Sequence, residues 1–329
     1  LMRLGQIPVV REEFERVKIY LVQYPTVEAA SGRRKPDAAK ALVDQINGGT
    51  LIVNYTGHGN PEVWAHERVF ERETTIPQLV NKNMLPFIGA ATCDFARYDS
   101  PSEESSTELM LVRENGGSIA TLSSARAVYS FDNAEFNNAF FSYLLVRNTE
   151  RKLTRLGDAL FSTKLTHYST NDTKFGLFGD PTLRLNAPTY SAHIDTINGN
   201  PTSAITQLKA LGKGTIQGTI RKLDGSLWNE YSGKLLMTVY DSRKEVLVPE
   251  WFGFTFALPG GIIYKGENTI SNGKFSANFF VPMDISYENN RGRITAYFSN
   301  ASSDGSGFTE NLLIGGTDST AATDPEGPR

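Results

Sequence analysis

Two stretches of this sequence, residues 50–55 (TLIVNY) and 85–91 (LPFIGAA), are continuous β-prone apolar runs without regular polar alternation. A strand with one wet face alternates apolar and polar residues, so a strand that does not alternate belongs in a sheet covered on both sides. Parallel strands flanked by helices satisfy that requirement.

The surrounding sequence supplies the helices. Residues 36–46 open on Pro36 and Asp37 and stop at Gly48-Gly49, a start and stop pair for a helix. Residues 105–114, 133–146 and 153–165 have amphipathic helical spacing, and residues 118–122 resume as a strand after Asn115-Gly116-Gly117. The acid-rich Ser102-Glu103-Glu104-Ser105 reads as a helix N-terminus, where serine caps and carboxylates favour the dipole. Residues 17–22 (VKIYLV) also read as a strand, and residues 174–185 as an edge strand turning at Gly179-Asp180-Pro181. Strands alternating with helices predict an α/β domain with a mostly parallel sheet over residues 1–188.

From Tyr190 onward the pattern changes to short β-branched or aromatic runs separated by turn signals such as Asp224-Gly225 and Asn272-Gly273. Roughly seven such strands in about 130 residues predict an immunoglobulin-like β-sandwich over residues 189–317. The last residues, 318–329, lack apolar periodicity and are read as a disordered tail. A length of 329 residues agrees with two domains, since it exceeds the size at which one core stops growing.

Charge excludes some partners. With 33 Lys+Arg against 36 Asp+Glu and a net charge of −3, there is no basic footprint for nucleic acid and no basic stripe for an anionic membrane. No apolar run is long enough to span a bilayer, and no secretory signal pattern opens the chain. The start at Leu1 rather than a methionine is read as a chain processed or cut from something longer.

Chemistry concentrates at two turns. Tyr55-Thr56-Gly57-His58-Gly59-Asn60 and Ala90-Ala91-Thr92-Cys93-Asp94 each follow one of the buried runs. Side chains at the carboxyl ends of neighbouring parallel strands converge on one crevice, and the 35 residues between His58 and Cys93 leave room for a crossover. An imidazole beside a thiol raises its thiolate fraction, so His58 can serve as base and later as acid for Cys93. The Gly59 and Cys93 N–H groups can then hold the oxyanion of an attacked carbonyl.

Blander readings stand beside these. A lone cysteine at a strand end is commonly core filler, and a histidine between glycines can serve a turn alone. Trp64 is a candidate wall of a substrate cleft or a packing anchor, and Asp94, Arg97 and Asp99 can set charge preference or be solvated loop charges. A zinc site is disfavoured because His58 and His66 lack helical metal-pair spacing and one cysteine is available; His66, His167 and His193 are read as surface or structural. The turn also lacks the Lys-Ser/Thr ending of a phosphate loop, so no cofactor is expected. Spacing alone does not locate a residue that would orient His58.

Four motifs in order, Asn54-Tyr55-Thr56-Gly57-His58-Gly59, Ala91-Thr92-Cys93-Asp94, Gly116-Gly117-Ser118-Ile119-Ala120 with Ser124-Ala125-Arg126, and Phe178-Gly179-Asp180-Pro181, resemble the gingipain-type (C25) cysteine peptidases. The likeness covers about residues 17–185 and extends to the sortases of the bacterial type IX secretion system. It is not the caspase pattern proper, since no Gln-Ala-Cys-x-Gly surrounds Cys93. The resemblance implies a caspase-like three-layer fold followed by an immunoglobulin-like module, Cys93 as nucleophile, His58 as general base and Gly59 N–H as oxyanion donor. It further implies action at the outer membrane surface on protein substrates carrying a C-terminal sorting domain. Anionic lipopolysaccharide would be the acceptor and other type IX components the partners. The alternatives are a non-catalytic surface or adhesion module with a degenerate peptidase layer, and a metacaspase-like self-processing enzyme.

Overall fold

The computed structural model describes residues 14–30, 32–248, 254–258 and 260–319. The chain divides into two compact units between Ala187 and Pro188.

In the first unit a small antiparallel hairpin, β1 (Val27–Ala29) and β2 (Gly32–Arg34), leads into helix α1 (Pro36–Asn47). Pro36 pre-sets the first turn, Asp37 faces the helix dipole, and Ala38, Val43 and Ile46 form the buried face. The helix ends where Gly48 N–H meets the Asp44 carbonyl at 2.8 Å and Gly49 turns away at φ +97°. Strand β3 (Ile52–Thr56) follows, then a hairpin of β4 (Val63–Trp64) and β5 (Phe70–Glu71), the short helix α2 (Arg72–Thr75), and strand β6 (Phe87–Ala91). Helix α3 (Ser106–Val112), strand β7 (Ala120–Ser124), helices α4 (Ser130–Leu144) and α5 (Leu156–Thr166), and strand β8 (Phe175–Gly179) complete the unit.

The sheet order is β3-β6-β7-β8, with β3, β6 and β7 parallel and β8 antiparallel at the edge. Strand β6 shows why its sequence cannot alternate. Phe87 and Ala91 face a core with Phe136, Phe140, Phe141 and Leu144 of α4 and Leu156 and Ala159 of α5, whereas Ile88 and Ala90 face Ala38 of α1 and Met110 of α3. Helices therefore cover both faces. Each fully buried phenylalanine, such as Phe87 and Phe140 at 0% exposure, contributes roughly 2 kcal/mol relative to an exposed one.

The predicted strand at residues 17–22 does not form. Residues 14–20 carry no regular structure and Leu21–Gln23 make a single 3₁₀ turn. Ile19 and Leu21 still pack against the core, but Val17 and Val22 are exposed and no neighbouring strand among the described residues ladders to the segment. Apolar content placed the side chains; without a backbone partner it made no strand.

The second unit is all β. Its strands are β9 (Tyr190–Ile197), β10 (Asn200–Pro201), β11 (Thr206–Ala210), β12 (Lys213–Arg221), β13 (Gly233–Tyr240), β14 (Lys244–Val248), β15 (Phe254–Leu258), β16 (Ile262–Ser271), β17 (Lys274–Phe280), β18 (Asn290–Arg291), β19 (Arg293–Ser299), β20 (Asp304–Thr309) and β21 (Leu312–Thr317). The Asn272-Gly273 signal is the turn between β16 and β17, with φ +50° and +69° as a two-residue hairpin turn requires. Alternate residues of β12, β17 and β19 are buried around Ile216, Leu235, Met237, Phe275, Ile294 and Phe298.

The ladder runs β9-β12-β17-β16-β13-β19-β20 and closes where β20 pairs with β9. The result is a seven-strand barrel-like sheet, beside which β11, β21 and β18 form a separate three-strand sheet and β14 and β15 a hairpin; the closed ladder does not by itself establish the expected immunoglobulin-like sandwich. Closure depends on a close approach: a Cβ at Gly307 would fall 1.7 Å from the Ala192 carbonyl oxygen, so the closing strand needs glycine there. At the C-terminal end, Asp318 N–H still donates to the Ala210 carbonyl at 2.9 Å. The expected tail from residue 320 onward lies outside the described residues.

Candidate active site

Register brings the two turns together. Thr56 of β3 pairs with Ala91 of β6, and Gly57 N–H continues the ladder to the Ala91 carbonyl at 3.5 Å. His58 and Cys93 each stand two residues beyond those paired positions. They therefore leave adjacent parallel strands at the same level, on the carboxyl edge where α/β sheets place their ligands.

The His58 turn is built around its neighbours. A Cβ at Gly57 would fall 2.5 Å from Tyr55 Oη, and one at Gly59 would fall 2.5 Å from Thr92 Oγ1, so both positions need the missing side chain. The space at Gly57 admits the Tyr55 hydroxyl, which donates to the His58 carbonyl at 2.7 Å. Burial above all pushes the Tyr55 phenol above its ordinary range, so the hydroxyl stays protonated and able to donate. Ala65 N–H reaches the same carbonyl at 2.8 Å, and Asn60 N–H donates to the Val63 carbonyl at 3.1 Å, joining the turn to β4. Helix α3 grips the far end: Ser106 N–H and hydroxyl both donate to the Pro61 carbonyl, at 2.9 and 2.7 Å. The helix itself starts with the serine cap expected from the sequence, a capping box between Ser105 and Glu108.

Cys93 is half-buried and bracketed by the loop after β7. Its Sγ accepts from Val128 N–H at 3.4 Å, Asp94 N–H donates to the Arg126 carbonyl at 3.3 Å, and Ala96 N–H donates to the Ser124 carbonyl at 3.0 Å. Ser124 Oγ donates to the Thr92 and Arg126 carbonyls, both at 2.7 Å. Asp94 takes φ +54°, a left-handed conformation that aspartate tolerates better than most residues and that turns the chain sharply behind the sulfur. No hydrogen bond links His58 to Cys93, and neither ring nitrogen of His58 has a hydrogen-bond partner, among the described residues. Gly59 N–H and Cys93 N–H likewise donate to no group among the described residues. Two unspent backbone donors thus flank the pair, the resource an oxyanion needs.

The other sequence candidates fall differently. Trp64 is 1% exposed, stacked on Tyr55 at 4.5 Å and packed against Phe70 and Phe95, so it is a core anchor and no cleft wall. Asp94 is half-buried within the cysteine turn, while Arg97 is exposed. Asp99 forms a two-point ion pair with Arg126, at 2.9 and 2.5 Å, tying the stretch after Cys93 to the loop after β7. No group of three metal-ligating side chains occurs among the described residues.

Two contributors escaped the sequence reading. The His66 ring lies on the His58 ring, with centroids 5.2 Å apart and planes 8° from parallel. Asn171, 4% exposed, accepts from Tyr129 N–H at 2.8 Å and donates to Asn133 at 3.2 Å, holding the loop that reaches Cys93. The eight-residue separation of the histidines matches neither helical nor strand periodicity, and the hairpin that joins them was the missing signal.

The sequence model of peptidase family C25 matches residues 5–186. Gingipain R2 from Porphyromonas gingivalis is 43% identical over 54 residues, 16% of this chain and 7% of that protein. Among solved structures, dimeric latent PorU from Porphyromonas gingivalis matches with a TM-score of 0.40 and 24% identity, covering 63% of this chain and 20% of that one. The Arg-specific cysteine proteinase gingipain R matches with a TM-score of 0.41 and 19% identity, covering 84% and 56%. The chain thus spans only a small part of the curated relatives it matches.

Proposed function

The chain belongs to peptidase family C25, and from that membership we propose that it carries the catalytic cysteine and histidine of a cysteine endopeptidase and transpeptidase. The observation that carries the reading is the matched level of His58 and Cys93 beyond paired Thr56 and Ala91. Cys93 Sγ adds to a scissile carbonyl while its proton passes to His58, and the oxyanion takes the Gly59 and Cys93 N–H donors. Collapse breaks the C–N bond, His58 returns the proton to the leaving amine, and a thioester remains on Cys93. An acceptor amine then attacks the thioester, forms an amide and restores the thiol; water in its place gives hydrolysis.

The finer reading is that of a type IX sortase. The substrates are secreted proteins with a C-terminal sorting domain, which is removed, and the acceptor is anionic lipopolysaccharide at the bacterial outer membrane surface, beside other type IX components. The family membership and the resemblance of the four sequence motifs support this assignment. Among the described residues no helix is long and apolar enough to cross a membrane. In this reading the β unit from Pro188 onward is the module that follows gingipain-type catalytic domains.

Intact-protein mass spectrometry after iodoacetamide treatment tests the pair. His58→Ala is expected to slow Cys93 alkylation at neutral pH by roughly tenfold, as loss of an imidazole partner returns the thiol toward its free state. In the full-length protein, Cys93→Ala should leave cargo unprocessed. Equal alkylation and unchanged processing would leave the adhesion-module reading, with a degenerate peptidase layer, in its place.

A further inference from the structure

A catalytic histidine needs its ring held in one orientation, usually by a third group that hydrogen-bonds one ring nitrogen. His58 has no such partner among the described residues. What it has is His66, face to face at 5.2 Å and 8° from parallel. A stack of this kind holds the plane of the ring while leaving both edge nitrogens open.

The support beneath His66 is rigid. It stands on the turn between β4 and β5, whose base is anchored by buried Trp64 and joined to the His58 turn through Ala65 N–H to the His58 carbonyl. On either side of His66, Ala65 and Arg68 take φ +61° and +51°, left-handed values that cost energy in residues with a Cβ. Arg68 N–H closes the turn on the Ala65 carbonyl at 3.1 Å, and the Arg68 side chain pairs with Glu71. A surface loop with no task would relax from such values. Here the turn puts an imidazole over the one ring that the chemistry must orient.

We propose that His66 is a positioning residue for His58, fixing the plane of its ring by stacking. The proposal rests on the Cys93–His58 reading above, and its test separates the two.

Cys93 alkylation by iodoacetamide at neutral pH is measured for wild type, His58→Ala, His66→Ala, His66→Phe and the double variant His58→Ala/His66→Ala. His66→Ala should slow alkylation roughly three- to tenfold, and His66→Phe, which keeps a stacking face, should stay within about twofold of wild type. Adding His66→Ala to His58→Ala should change nothing, because His66 acts only through His58. In NMR spectra, the carbon-bound ring protons of His58 should lose their ring-current shift in His66→Ala and keep one in His66→Phe. A wild-type rate in His66→Ala beside a slow His58→Ala overturns the positioning role and spares the catalytic reading. A wild-type rate in His58→Ala overturns the catalytic reading itself. Slow alkylation in His66→Phe, or a further loss in the double variant, overturns stacking as the mechanism.

Discussion

The two strand-end turns are secured at opposite ends of their residues. Cys93 is held at its sulfur, where Val128 N–H meets Sγ, and the loop after β7 fastens the backbone on both sides of it. His58 is held at its carbonyl by Tyr55 and Ala65, while its exposed ring has His66 as its one ring partner among the described residues. The proposed nucleophile is therefore placed by the sheet and the loop after β7. The proposed base is placed by the β4–β5 hairpin, which the strand register does not dictate. The proposed pair thus has one member fixed by the fold and one fixed by a local device.

The strongest way to break this arrangement is at Gly59. An alanine Cβ there would fall 2.5 Å from Thr92 Oγ1 and 2.9 Å from the Val63 carbonyl oxygen. Thr92 is fully buried and the Val63 carbonyl belongs to the hairpin backbone, so neither can yield cheaply. Gly59→Ala is expected to destabilise the first unit by about 1–3 kcal/mol, read from urea denaturation. It should also bring Cys93 alkylation down to the rate of His58→Ala. Wild-type stability with wild-type reactivity would mean that the His58 turn is not pinned against the cysteine strand.

Asn171→Ala probes the other member. It removes the acceptor of Tyr129 N–H and one partner of buried Asn133, at a cost of about 1–2 kcal/mol. The loop over residues 125–129 should loosen, so hydrogen exchange at Val128 is expected to speed up. Reactivity should fall less than in Gly59→Ala, because the bonds from Asp94 and Ala96 to this loop persist. A loss of reactivity as large as in the glycine variant would show that both turns depend equally on remote support.

What the residues disclosed follows the same division. Strand β6, buried at every residue, and the adjacency of the His58 and Cys93 turns were legible, because a two-faced strand and a glycine-flanked histidine have few other uses; β3 was legible as a strand, but it lies at the sheet edge, half-buried with Asn54 exposed. Trp64 was legible as important but not in its role, since a cleft wall and a core anchor carry the same residue and its ring turned inward onto Tyr55. The His66 stack was illegible because it depends on a hairpin of two-residue strands, too short to register in any periodicity. Closure of the second unit was illegible for another reason: a sandwich and a barrel share one alternating pattern, and the close approach of β20 to β9 rests on Gly305 and Gly307, which face the Tyr190 and Ala192 carbonyls. The segment at residues 17–22 had the composition of a strand and lacked the neighbour that would have made it one.

The smallest expected effect is at Asp99 and Arg126, and it sharpens the contrast because it separates charge from backbone. Hydrogen bonding to the Arg126 guanidinium holds the Asp99 carboxyl below the usual carboxylate range. A group depressed on folding contributes stability above its unfolded pKa and loses it as pH falls through the folded one. The difference in melting temperature between wild type and Asp99→Asn should therefore be present at pH 7, shrink with added salt, and vanish on acidification below about pH 4. Cys93 alkylation should stay at the wild-type rate throughout, because the Asp94 and Ala96 N–H groups reach the Arg126 and Ser124 carbonyls whatever the Arg126 side chain does. If Asp99→Asn instead slowed alkylation, the cysteine turn would depend on a solvent-exposed ion pair, and the distinction between a cysteine placed by the fold and a histidine placed by a local device would fail.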